Sequence, residues 1–200
     1  MPPTTPPPIP SAEATKYAEF LTPSETMLAI VHRHPIGLIG LYLAALIGII
    51  VVIGFFVLVT PNLLDNLFKQ SSRALLGGII FAVAILIFFL FVSTYVYRQS
   101  RLIITNKSLV EINQVSLFIR KVARLSMSNV EDVNSDQRGI LATFFNYGTL
   151  TIQTAGEMDN FVFKYCPTPV KYADIILEAR QAYAESLQEE ELAKLTGGHL

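Results

Sequence analysis

Two long stretches without a charged side chain dominate the hydrophobic pattern of this chain. Residues 36–60 and 74–97 consist mostly of Ile, Leu, Val, Phe, Gly and Ala, and Arg73 and Arg98 flank the second stretch. A bilayer core of about 30 Å is crossed by roughly 20 apolar residues in a helix. Both stretches exceed that length. A soluble helix so long and so apolar would need apolar cover on every side. The pattern therefore predicts two transmembrane helices, 36–60 and 74–97, joined by a short loop at 61–73.

Beyond Arg98 the pattern changes to period two. Strands are expected at 101–106 and 109–113, around the polar turn Asn106-Lys107-Ser108, and again at 117–125, 129–133, 149–154 and 160–165. Residues 139–148 are bracketed by glycines and read as a helical turn or packed loop. Pro167-Thr168-Pro169 opens a helix with Tyr172, Ile175, Ile176, Ala179 and Tyr183 at helical spacing. Several antiparallel strands followed by one helix suit a small bent sheet with the helix against one end.

Before the first apolar stretch the reading is less uniform. Residues 1–22 begin with a proline-rich run and are expected to form a disordered tail. Thr22-Pro23-Ser24-Glu25 has the form of a helix start, with a cap, a proline at the first position and a glutamate for a capping box. A helix to His34, ended by Pro35, would make 23–35 an interfacial segment. The alternative is a strand, because Leu28, Ile30 and His32 alternate with Ala29, Val31 and Arg33. At the other end, residues 187–200, with Glu189-Glu190-Glu191 and Gly197-Gly198, read as an acidic tail.

Charge places these pieces. Arg33, Arg98, Arg101 and Lys107 lie close to one side of the two spans, against Lys69 and Arg73 on the other. The positive-inside bias makes 61–73 extracytoplasmic, both termini cytoplasmic, and the chain a multi-pass protein of the plasma (inner) membrane. A net charge of −1 argues against nucleic acid as a partner. The lone cysteine, Cys166, excludes an internal disulfide framework and cysteine-rich zinc sites, and reads as an inert thiol.

Several short motifs after the second span carry a family resemblance. Residues 98–108, with Leu102-Ile103-Ile104-Thr105-Asn106, resemble the first hairpin of bacterial pleckstrin-homology (PH) domain membrane proteins. Asn129-Val130-Glu131-Asp132-Val133 is similar to their short strand with an Ile/Val-x-Asp-Val signature. Phe145-Asn146-Tyr147-Gly148-Thr149-Leu150 is similar to their Gly-Tyr-Gly-Thr segment. Thr154-Ala155-Gly156 and Cys166-Pro167-Thr168-Pro169 fit the later turns, and Glu25 and His34-Pro35 match the entry to the paired spans. Ser108 stands where the family often has arginine, and Asn146 where it often has glycine. The resemblance implies an α+β membrane protein. Its two-helix transmembrane hairpin would be followed by a PH-like antiparallel β-barrel or sandwich at 98–186, capped by a C-terminal helix, on the cytoplasmic side. It implies no enzyme activity, and a role in envelope maintenance or stress response.

The residues themselves offer no catalytic constellation, no cofactor loop and no metal set. Asp132 and Asp136 fall in a strand-and-turn region, and the histidines His32, His34 and His199 lack further ligands. Two surfaces remain. Residues 98–138 hold seven Lys or Arg against four acids, whereas residues from 139 onward hold four against eight. Arg98, Arg101, Arg120, Lys121 and Arg124 are thus candidates to face anionic lipid, at about 1 kcal/mol per basic residue near the surface. Gly40, Ala44 and Gly48, with Gly78 and Ala82, form small-residue stripes suited to helix packing, within the hairpin or between copies. Three functions follow. The first is a non-catalytic module binding a protein partner or itself as a homo-oligomer. The second is a sensor of anionic membrane lipids, and the third an oligomeric pore or transporter accessory subunit.

Overall fold

The computed structural model describes residues 17, 19, 21–22, 25–59, 70–155 and 160–197. Most of the expected tail, and of the loop between the apolar helices, lies outside these residues, as do 198–200. The chain divides into two compact units, Pro35–Tyr97 and the combination of Met1–His34 with Arg98–Leu200.

The first unit is helical. A 3-10 turn at Pro35–Leu38 leads into α1 (Ile39–Val59), and α2 (Gln70–Gln99) ends just beyond the unit. Pro35–Leu58 and Gly77–Gln99 are each long and apolar enough to cross a membrane, and neither is buried within the protein. Their apolar side chains point outward, with Leu58 82% and Phe91 71% exposed. Water is a poor solvent for such a surface and lipid a good one. Among the described residues, a polar contact joins the helices. The Thr94 hydroxyl donates to the Leu90 carbonyl at 2.7 Å, so the Tyr42 hydroxyl is the donor in the 2.7 Å bond between Tyr42 and Thr94.

The second unit is α+β. β1 (Met27–His32), β2 (Arg101–Thr105), β3 (Ser108–Gln114) and β4 (Arg120–Ser126) form one antiparallel sheet in that order. β5 (Val130–Asp136), β6 (Tyr147–Thr154) and β7 (Phe161–Pro167) form a second. Residues 27–32 are thus strand and not helix. Ala29 and Val31 alternate into the core, while Ile30 points to the other face with Met27. Pairing with β2 (Ala29↔Ile104, Val31↔Leu102) settles a segment whose local signals suited either form.

The sheets do not close into a barrel. β4 pairs only with β3 and β5 only with β6, and the 3-10 turn Met127–Asn129 carries the chain from one sheet to the other. Where β1 approaches β7, one backbone bond forms, from His34 N–H to the Tyr165 carbonyl at 2.6 Å. Tyr165 has φ +58°, which breaks the regular strand geometry a ladder would need.

A single core joins both sheets to the last helix. Val31, Leu102, Ile104, Leu109 and Leu125 come from the first sheet, and Leu150, Ile152, Phe163 and Cys166 from the second. A short helix, α3 (Ile140–Phe145), precedes β6, and α4 (Pro169–Gly197) follows β7. Ala173, Ile176 and Ala179 form the apolar stripe that α4 lays on this core. Proline at its first position loses no helical hydrogen bond. The 187–197 part of the expected acidic tail continues this helix and is exposed up to residue 196. A second, smaller cluster lies on the other face of the first sheet. There Tyr17, 3% exposed, packs with Ile103, Val110 and Ile112.

Gly148 is required by a close approach. A Cβ there would collide with the Asp136 carbonyl of the neighbouring strand and come within 3.0 Å of Pro169. Gly148→Ala should destabilise the domain by about 1–3 kcal/mol, the cost of overpacking where backbone cannot move aside. A thermal melt followed by circular dichroism checks this, and an unchanged midpoint would contradict it.

Candidate binding surfaces

Three places on the β-rich unit combine exposed chemistry with fixed geometry. The first is built around Glu25, just before β1. Its Oε2 accepts the Thr22 N–H at 3.0 Å, which is the reach-back of a capping box in a segment that is not helical. Its Oε1 accepts the Ser108 hydroxyl at 3.0 Å and lies 3.7 Å from Arg124 Nη1. The carboxylate is 6% exposed and the Arg124 side chain 42%. The hydroxyl of Ser108 and the cation of Arg124, on the neighbouring strand, thus meet at one carboxylate oxygen. A hollow of about 280 Å³ lies here, lined also by Lys107 and Tyr183.

The second place is the corner where β1 meets β7. The His34 ring stacks on Tyr147 with centroids 5.5 Å apart, and Tyr147 lies 6.1 Å from Tyr165. Three non-glycine residues here have positive φ, namely Asn146, Tyr165 and Thr168. The Thr168 N–H donates to the Asn146 carbonyl at 2.8 Å and holds two of them together. Asn146 ends α3 in the left-handed conformation, where glycine is usual and asparagine the next best residue. That explains why asparagine is tolerated in place of the expected glycine. Beside these rings is a hollow of about 340 Å³, lined by Arg138, Asp136 and Lys164. Arg138 is paired with Asp136 at 2.8 Å.

The third place is the start of β4. Arg120 and Lys121 are exposed there, as is Arg98 at the end of α2. The five basic residues expected to face lipid are therefore not equivalent. Arg124 is engaged with Glu25. Arg101 is 9% exposed, lies 4.9 Å from the Tyr17 ring centroid and donates to Gln99 Oε1 at 3.0 Å. Tyr17 thus covers that face of the sheet at Arg101. An aromatic in the N-terminal stretch was the only sequence signal for it.

Inside the unit, Glu111 is pushed above the ordinary carboxylate range by burial, with Arg33 pulling the other way. The Arg33 guanidinium lies 5.6 Å from the Phe163 ring centroid. Cys166 is fully buried, and burial pushes its thiol up to about 12. Among the described residues, no group of three His, Cys, Asp or Glu is placed to hold a metal ion.

Two predictions follow from these contacts. Glu25→Ala leaves the Ser108 hydroxyl, the Thr22 N–H and Arg124 without this carboxylate and should cost about 1–3 kcal/mol. Hydrogen exchange should then rise across β1 and the 105–108 turn, and unchanged exchange would argue against the lock. Cys166 should resist a thiolate-directed reagent at about pH 8, because reaction needs the thiolate and access. Labelling should appear only after denaturation, and rapid labelling of the native protein would contradict the buried placement.

The sequence profile of the family described as bacterial PH domain matches residues 35–190. No curated protein matches the chain. The matched stretch takes in both apolar helices and β2 to β7, and leaves residues 1–34, with β1, and residues 191–200 outside. With two antiparallel sheets and a C-terminal helix sharing one core, the chain belongs to the bacterial PH domain family.

Proposed function

We propose that this protein is a non-catalytic, membrane-anchored binding module. Two spans hold the PH-like domain, residues 98–186 with β1, at the cytoplasmic face of the plasma membrane. There it associates with a second copy or another membrane protein, in envelope maintenance or stress response. The observation that supports self-association is the open small-residue stripe. A Cβ placed at Gly40, Gly48 or Gly78 would meet no atom within 4 Å. The residues that would let helices approach closely are thus not used within the described part of this hairpin, and Ala44 shares their stripe four residues from each neighbour. In lipid, such stripes bring backbones together because packing, and not the hydrophobic effect, drives association.

A second reading, a sensor of anionic lipid, draws on Arg120 and Lys121 at the exposed start of β4. A pore or transporter accessory would depend on the same oligomerisation, and α1 carries no ionisable side chain except Tyr42 that could mark a polar path.

Cross-linking of the full chain in intact membranes tests the first reading. A self-linked species should form and fall severalfold in Ala44→Leu and Gly48→Leu. A self-linked species unaffected by both would rule out the stripe, and the absence of any protein link would overturn the association reading.

A further inference from the structure

The β-rich unit exposes two apolar projections that its core does not need. One is the connection from β3 to β4, residues 115–119. Phe118 is 94% exposed, Ile119 54%, Val115 52% and Leu117 42%. This connection is not loose, since the N–H groups of Val115 and Ser116 both donate to the Ile119 carbonyl, at 3.0 and 3.3 Å. The other is α3. Ile140 is 89% exposed and Phe144 81%, with Leu141 and Phe145 also outward, while Ala142 alone is buried against the domain. Phe144 and Phe145 pack edge to face, with centroids 5.1 Å apart. An ordered surface of this kind marks a binding site more often than it marks chance.

Both projections are fixed at the points where the chain leaves this unit for the apolar helices. Ser100, the first residue after α2, accepts the Gln114 N–H at 3.2 Å and donates to Asn113 Oδ1 at 3.3 Å. Residue 115 follows directly. His34, the residue before Pro35, stacks on Tyr147, two residues beyond the end of α3. Each exit from the domain thus has one apolar projection beside it.

The charge around the first projection selects its occupant. Residues 112–130 contain no acid, and of their basic residues Arg124 is engaged with Glu25 while Arg120 and Lys121 are exposed. An apolar tip followed by exposed basic residues matches the layering of a bilayer surface, with acyl chains beneath anionic headgroups. The hollow beside α3 is lined by Lys164 and by the paired Arg138 and Asp136.

We propose that the 115–119 tip and α3 insert into the headgroup–acyl boundary of an anionic bilayer and seat the domain on the membrane surface. Arg120 and Lys121 contact the headgroups. This rests on the reading of the chain as membrane-anchored, not on self-association.

The chain has no tryptophan, so one introduced residue is a unique fluorescent probe. Full-length Phe118→Trp and Phe144→Trp are reconstituted in bilayers of mixed anionic and zwitterionic phospholipid brominated high on the acyl chain. Phe88→Trp, in α2, is measured with lipid brominated deeper, and Leu192→Trp, on exposed α4, is the water-facing control. Emission at 118 and 144 should fall about twofold on bromination, as shallow interfacial insertion predicts, while 192 stays unquenched. Quenching at 118 should weaken when Arg120 and Lys121 are both changed to Ala, or in purely zwitterionic bilayers. If 88 is quenched but 118 and 144 behave like 192, the seating is overturned and the anchoring stands. An unquenched 88 overturns both. Blue-shifted but unquenched emission at 118 and 144 means a protein surface covers them, and that also overturns the proposal. Equal quenching at 118 with and without Arg120 and Lys121 overturns the headgroup contact.

Discussion

The pairing of β1 with β2 is the constraint on which the rest of the molecule depends. Ala29 lies opposite Ile104 and His32 opposite Arg101, so neighbouring strands of one sheet are separated in sequence by both apolar helices. Adjacent strands sit about 4.8 Å apart. Whatever residues 35–97 do, they must leave the end of β1 and return beside it to start β2. A single crossing of a bilayer is incompatible with that geometry, because β1 and β2 would end on opposite sides. Two crossings are compatible. The paired helices are therefore an insertion between two neighbouring strands of one sheet.

The same constraint explains what could be read locally and what could not. The apolar helices are legible because a charge-free run of more than 20 residues has few other uses. The hairpin of β2 and β3 is legible because both strands and the turn are adjacent, with the Thr105 hydroxyl accepting the Ser108 N–H at 2.8 Å to close it. α4 is legible from its 3.6-residue spacing. β1 was not, since a strand paired to a segment about 70 residues later leaves no local trace beyond alternation, and Thr22-Pro23-Ser24-Glu25 offered a complete set of helix-start signals. Glu25 does cap the Thr22 N–H as such a motif would. The chain then continues into a sheet, because the long-range pairing outweighs a local preference worth about 1 kcal/mol.

Charge was less legible than fold. A count of Lys and Arg treats five residues as alike, but burial separates them. Arg101 is held against Tyr17, and Arg124 neutralises a buried carboxylate. Arg120 and Lys121, by contrast, are exposed at the start of β4. The distinction depends on Tyr17 and Glu25, both far away in sequence, and no local window contains it. The two departures from the family pattern each have a local structural setting. Ser108 donates its hydroxyl to Glu25, and Asn146 adopts the left-handed conformation that glycine also favours.

Backbone strain and misplaced apolar surface concentrate at one end of this sequence logic. Asn146, Tyr165 and Thr168 each hold a positive φ, which costs of order 1–3 kcal/mol for Tyr165 and Thr168 and less for asparagine. They surround the strand ends that follow α3, a helix of six residues whose outward face is Ile, Leu and Phe. A helix of that length cannot stand by its own hydrogen bonds. Ala142, buried beneath it, and Gln137, whose side chain donates to the Ala142 carbonyl at 2.8 Å, tie it to the domain. Strained backbone and outward apolar side chains thus occur together near His34, which stacks on Tyr147 just after α3.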